Sequence, residues 1–152
     1  MTVRPGRWTH DHEGGLVVFL IGMRVNRWHR VDAWWPVFTA MPRMLRELAA
    51  DPSSGLLGYR MTWGARGPLL VQYWAGHDQL MAYARSGEQQ HRPAWRAFNA
   101  RAARTGGAVG IWHETYVVPA GGHESVYTSM PVQGLALATS SVAAGAPERK
   151  RS

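Results

Sequence analysis

Four apolar, β-branched runs alternate with segments of helical spacing in the order β-α-β-β-α-β. That order predicts an α+β protein of the ferredoxin-like pattern. Two further observations bear on it. The strand candidates are apolar on both faces, so the sheet face that the helices leave bare needs its own cover. And 152 residues without a cysteine make one domain held by a packed core, not by cross-links.

The elements follow in order. Residues 1–14 are polar and interrupted by Pro5, Gly6 and Gly14, which predicts a flexible N-terminal arm. LVVFLIGMRV (16–25) is continuous and β-branched, as in a strand buried on both faces. In 30–52, Val31, Trp34, Trp35, Phe38, Met41, Leu45 and Leu48 recur at helical spacing. Pro36 belongs in a first turn, and Pro42 predicts a kink or a restart. GLLGYRMTWG (55–64) and PLLVQYWAG (68–76) predict a hairpin around the loop ARG. HDQLMAYARSG (77–87) is a short helix. HRPAWRAFNARAARTGG (91–107) is a second one, started by Pro93 and stopped by Gly106 and Gly107. GGAVGIWHETYVV supplies the last strand, 109–118. Residues 123–141 form a C-terminal extension with one more short strand, expected to wrap a partner copy or a barrel rim. The domain is thus expected over 15–141, with a disordered basic tail over 142–152.

Composition excludes several classes. The lack of cysteine removes disulfides, zinc–thiolate centres, cysteine nucleophiles and thiolate-bound heme. No apolar run is long enough to span a membrane, and MTVRPGRWTHDHEGG lacks the apolar core of a signal peptide, so a cytoplasmic protein is expected. The net charge is +7, but three of the cations lie in the terminal ERKRS. The others are scattered, with no nucleic-acid motif, so no nucleic-acid partner is expected. There is no phosphate loop and no GxSxG elbow. Of the seven histidines, His10 and His12 form an HDH without ordered context, and His29, His77 and His123 sit at element edges. Eight tryptophans suit a bulky core, a dimer interface or walls for a flat apolar ligand.

Two constellations carry candidate chemistry. In the last strand, alternation sets Val109, Ile111, His113, Thr115 and Val117 on one face and Trp112, Glu114 and Tyr116 on the other. One of His113 and Glu114 therefore looks toward the helices and the other toward the opposite face. A buried Glu114 needs a partner, as a structural pair or as a ligand-orienting group. In the last helix, His91, Trp95 and Phe98 share a face. His91 stands near the helix start, where the dipole favours a neutral imidazole able to bind a metal or take a proton. The same position also suits a helix cap.

With AWRAF in the last helix and WHETY in the last strand, the chain resembles the dimeric α/β-barrel superfamily. More narrowly, FLIGMRVNRW, MPRMLRELAADPSSGLLGYR, VQYWAGHDQLMAYAR, HRPAWRAFN and VGIWHETYVVPAGGHESVYTSMPVQGL resemble a little-characterised monooxygenase-like family of unknown function, over about residues 17–137. The resemblance implies a homodimer. It also implies a monooxygenase-like oxidoreductase acting on a small or medium apolar organic substrate. Heme is one option, held by His91, because heme-degrading members of the superfamily carry their iron ligand near that position. Cofactor-free oxygenation and plain ligand binding are the alternatives. On this reading His91, His113 and Glu114 are catalytic. Trp95, Phe98 and Arg24 help to bind the cofactor, and Arg24 can also meet a carboxylate. Trp34, Trp35, Phe38, Trp74, Trp112 and Tyr116 wall the substrate pocket.

Overall fold

The computed structural model describes residues 1–86 and 100–144. In chain order its strands are β1 (Arg4–His10), β2 (Leu16–Val25), β3 (Leu56–Gly64), β4 (Gly67–Trp74), β5 (Val109–Val118), β6 (Tyr127–Met130) and β7 (Ser141–Ala143). Its helices are α1 (Val31–Ala49), α2 (His77–Ser86) and a short α3 (Gly134–Ala138). Residues 100–103 are also helical and lead into a turn through Gly106 and Gly107, both at positive φ, as expected of a helix stop.

The main sheet is four-stranded and antiparallel, in the order β3-β4-β2-β5. With α1 crossing between β2 and β3, this is the ferredoxin-like arrangement that the element order predicts. Alternation along β2 sends Val17, Phe19, Ile21, Met23 and Val25 into one core with Val37, Met41, Met44 and Leu48 of α1 and Leu70 and Trp74 of β4. That face is called the helix side, and its reverse the open face.

The first helix begins at Val31, so Pro36 lies beyond its first turn, and there is no restart at Pro42. It runs unbroken through Pro36 and Pro42. Each proline removes a helical hydrogen bond, at a cost of ~3 kcal/mol. Seven buried residues between Ala33 and Leu48 set their packing against that cost. The buried stripe is also rotated from the expected one. Val37, Ala40 and Met44 point inward, while Trp35 is exposed and Trp34 and Phe38 flank the core.

Residues 4–10, expected in a flexible arm, form β1 instead. It pairs with β6 and β7 in a separate three-stranded sheet. Trp8 is the physical reason. It is 0% exposed and stacks on Tyr127, ring centroids 4.2 Å apart and 9° from parallel. The Arg4 guanidinium stands 5.4 Å from its ring. Pro5 and Gly6, which read as breaks, fall where the register of β1 with β6 shifts between Arg4 and Arg7.

The C-terminal extension folds back on its own chain. The Ala138 methyl lies 2.8 Å from where a Gly58 side chain would begin, so α3 packs on β3 only because that position is glycine. Gly58 shares the open face with its register partner Tyr73. The β3–β4 end of that face is therefore covered from within the chain. Among the described residues no helix is long and apolar enough to cross a membrane. Residues 145–152, which hold most of the expected tail, lie outside the described residues.

Candidate functional site

The register of β5 against β2 decides where the last-strand residues go. Ile21 pairs with His113, Leu20 with Glu114 and Gly22 with Trp112. Ile21 faces α1, so His113 faces the helix side, its ring 5.6 Å from that of Phe19. Gly22 faces the other way, and a Cβ there would overlap the Trp112 indole. Trp112, Glu114 and Tyr116 consequently line the open face. They stand on the side of the sheet away from α1.

His113 has a distinctive setting. The other side chains that β2, β4 and β5 turn to the helix side include Phe19, Ile21, Met23, Leu70, Gln72, Trp74, Ile111 and Thr115. All are apolar or neutral. His113 is the imidazole among them, a side chain that can both donate and accept a hydrogen bond. Gln72 is buried beside Phe19 in the register, and its Oε1 accepts from Trp74 Nε1 at 2.8 Å. Among the described residues its Nε2 has no partner. Trp74 is therefore a core residue, closed to solvent and packed on Tyr83 at 5.5 Å.

At the far flank of α1 the aromatic residues form a continuous row. Trp28 meets Trp34, Trp34 meets Trp35, Trp35 meets Phe38 and Phe38 meets Trp63, with centroids 5.4–5.9 Å apart. Trp34 donates its indole N–H to Trp28 O at 3.0 Å, which fixes the start of the row. The sequence spacing picked out Trp34, Trp35 and Phe38. It gave no signal for Trp28 or Trp63, because their contacts come from a loop and from a strand on another segment. Phe19 was hidden among strand residues for the same reason.

A cleft of ≈ 190 Å³ opens between the start of α1 and residues 101–105, lined by Arg30, Asp32, Pro36, Arg101, Arg104 and Thr105. Its charges are already engaged in part. Arg30 grips Asp32 through two bonds of 2.9 and 2.7 Å, which holds the Asp32 carboxyl below its usual range. Arg101 donates to Pro36 O at 3.3 Å.

On the open face, Tyr116 Oη donates to Glu114 Oε2 at 2.7 Å, and this bond holds the tyrosine hydroxyl above its ordinary range. Glu114 is exposed in the single chain, not the buried carboxylate that the sequence suggested. Its partner is the Tyr116 hydroxyl, two residues along the same strand. Arg24 is also exposed on this face and donates to Asn26 Oδ1 at 3.0 Å. His113 and Glu114 lie on opposite sides of the sheet, as strand alternation predicts. His91, Trp95 and Phe98 lie outside the described residues. Among the described residues no group of three or more His, Asp or Glu stands ready to hold a metal.

Comparison with known proteins adds a family. The model of a family described as monooxygenase af470-like matches residues 16–135. No curated protein matches the sequence. Among solved structures, SnoaB, a cofactor-independent oxygenase from Streptomyces nogalater, is similar at 15% identity and a TM-score of 0.41, over 67% of this chain and 91% of that one. A Caulobacter crescentus protein provisionally described as an antibiotic biosynthesis monooxygenase is similar at 15% identity and a TM-score of 0.47, over 68% and 91%. A dimeric ferredoxin-like protein from an uncultured marine organism is similar at 10% identity and a TM-score of 0.41, over 68% and 95%.

Proposed function

From the premise that this chain belongs to the monooxygenase af470-like family, we propose that it oxygenates a small or medium apolar organic substrate held on the helix side of the sheet. His113 takes the proton. The observation that supports this is the placement of the His113 imidazole beside Phe19, where the described neighbours on β2, β4 and β5 are apolar or neutral. The apolar neighbours Phe19 and Ile111 favour an uncharged ligand, and an imidazole is a side chain able to accept its proton.

The chemistry open to such a site is the oxidation of an acidic C–H carbon. His113 accepts a proton from a methylene, and the resulting carbanion passes its electrons to molecular oxygen. Oxygen adds at that carbon, and loss of water leaves a carbonyl. The sum is R₂CH₂ + O₂ → R₂C=O + H₂O, so the substrate itself is the reductant. An anthrone is a suitable probe, being flat, apolar and acidic at one carbon. Oxygen uptake equal to the anthrone consumed is expected, and His113→Ala should slow it by about 10²–10⁴-fold. Equal rates in both proteins would remove His113 from the reaction. Saturable quenching of tryptophan emission by anthrone without oxygen uptake would favour a binding module.

Heme fits the described residues poorly. An axial histidine wants apolar walls that keep water from the iron. His113 has one ring beside it and sits on the sheet's outermost strand. The heme option therefore rests on His91, and the absorbance spectrum of protein from heme-supplemented cells tests it. A Soret band lost in His91→Ala would support it.

The partner is a second copy of the chain. Trp112 (42% exposed) and Tyr116 (52%) stand on the open face with Val18, Leu20 and Val71, where α3 does not reach. Sedimentation should give twice the mass of one chain at micromolar concentration, and a monomer would refute this assembly.

A further inference from the structure

Two connections join the small sheet to the large one: residues 11–15, between β1 and β2, and residues 119–126, between β5 and β6. They are tied to each other by histidines. His10 Nε2 and His123 Nδ1 are 2.8 Å apart. His123 Nε2 lies 2.7 Å from Gly14 O, and His10 Nδ1 lies 2.5 Å from Ser125 Oγ. Thr9 Oγ1 donates to Ser125 O at 2.6 Å, and the His10 amide donates to Ser125 Oγ at 3.1 Å. The His12 ring stands 5.6 Å from that of His123.

The proton positions in this chain follow from its ends. A carbonyl only accepts, so His123 carries its proton on Nε2 and offers a lone pair at Nδ1. His10 must then donate from Nε2, which leaves its Nδ1 to accept from the Ser125 hydroxyl. One added proton is tolerated, because it enters at His10 Nδ1 and turns Ser125 into an acceptor. A second proton has nowhere to go but His123 Nδ1. Two N–H groups would then face each other, each on a cationic ring.

We propose that this chain is a pH-operated latch, closed with one proton or none and opened by the second, which loosens the small sheet from the large one. What it releases is specific. The small sheet carries α3, and α3 covers the β3–β4 end of the open face through Gly58 and Tyr73. The groups acting on His10 are known. Burial, His123 and His12 oppose its protonation, in that order, and Asp11 favours it. Opening belongs to the pair of rings and to neither ring alone.

Amide hydrogen exchange tests the proposal on the full chain. The reporters are the His10 amide, bonded to Ser125 Oγ, and the Asp11 amide, bonded to Ser140 O at 2.8 Å. Corrected for intrinsic rates, their protection should fall by about tenfold or more between about pH 7.5 and about pH 5, while β2 and β4 amides keep theirs. A double variant, His10→Gln with His123→Gln, should show no such step. Long-range ¹H–¹⁵N spectra of the unaltered protein give a second, variant-free reading, with the His123 proton expected on Nε2 at neutral pH. Protection that is equal at both pH values, a step that survives in the double variant, or a His123 proton on Nδ1 would each overturn the latch.

Discussion

Replacing Trp8 by alanine tests whether the N-terminal strand belongs to the folded unit. The side chain is fully buried and stacked on Tyr127. Removing a tryptophan takes about 200 Å² out of the core, worth ~5 kcal/mol at ~25 cal/mol per Å². Two effects reduce that figure. Among the described residues the buried indole N–H of Trp8 has no partner, and its removal returns ~1–2 kcal/mol. The neighbouring Tyr127 and Arg4 can also settle partly into the space. A net loss of about 3 kcal/mol remains, equivalent to a fall in Tm of roughly 6–12 °C for a chain of this length. Urea denaturation followed by far-UV circular dichroism measures it. Trp8→Phe keeps the ring stack and loses the orphan N–H, so it should cost only about 1 kcal/mol. A Trp8→Ala midpoint within ~0.5 kcal/mol of the starting protein would refute the reasoning. It would mean that residues 4–10 contribute no more than a loose arm.

Other substitutions probe the two faces of the sheet. Glu114→Gln should change stability by less than ~0.5 kcal/mol in the separated chain, because Glu114 is exposed there; a loss of 2 kcal/mol or more would show that assembly buries it. Gly22→Ala should push the Trp112 indole off the sheet, and its emission should shift to the red; an unshifted spectrum would place the indole elsewhere. Stability should also follow pH through His10. The fold lowers the pKa of His10, so both folded and unfolded states are neutral above the ordinary value of ~6.5, and the stability is complete there. It is lost as pH falls from that value through the lower folded one. A Tm that holds constant from about pH 7 to about pH 5 would contradict this.

Periodicity was enough to establish the order β-α-β-β-α-β and the alternation that separates His113 from Glu114. Both are local properties. Hydrophobic spacing repeats within a few residues, and strand geometry sends neighbours to opposite faces whatever the strand pairs with. The sequence could not say which of the two residues faces the helices, because that depends on the register of β5 against β2, and register is set by pairing with a strand far away along the chain, Ile21 with His113 and Leu20 with Glu114. Only the folded molecule put Phe19 beside His113 and linked Trp28 to Trp63 through α1. The same holds for Trp8. Within seven polar and glycine-broken residues it has no local pattern to announce a strand, and its partner Tyr127 lies near the other end of the chain. The three histidines of the latch were each read as edge or arm residues, since nothing in their spacing brings His10 to His123. Proline was misjudged for the converse reason. Its local penalty is legible in the sequence, but the packing of α1 on the sheet that outweighs it exists only once the sheet has formed.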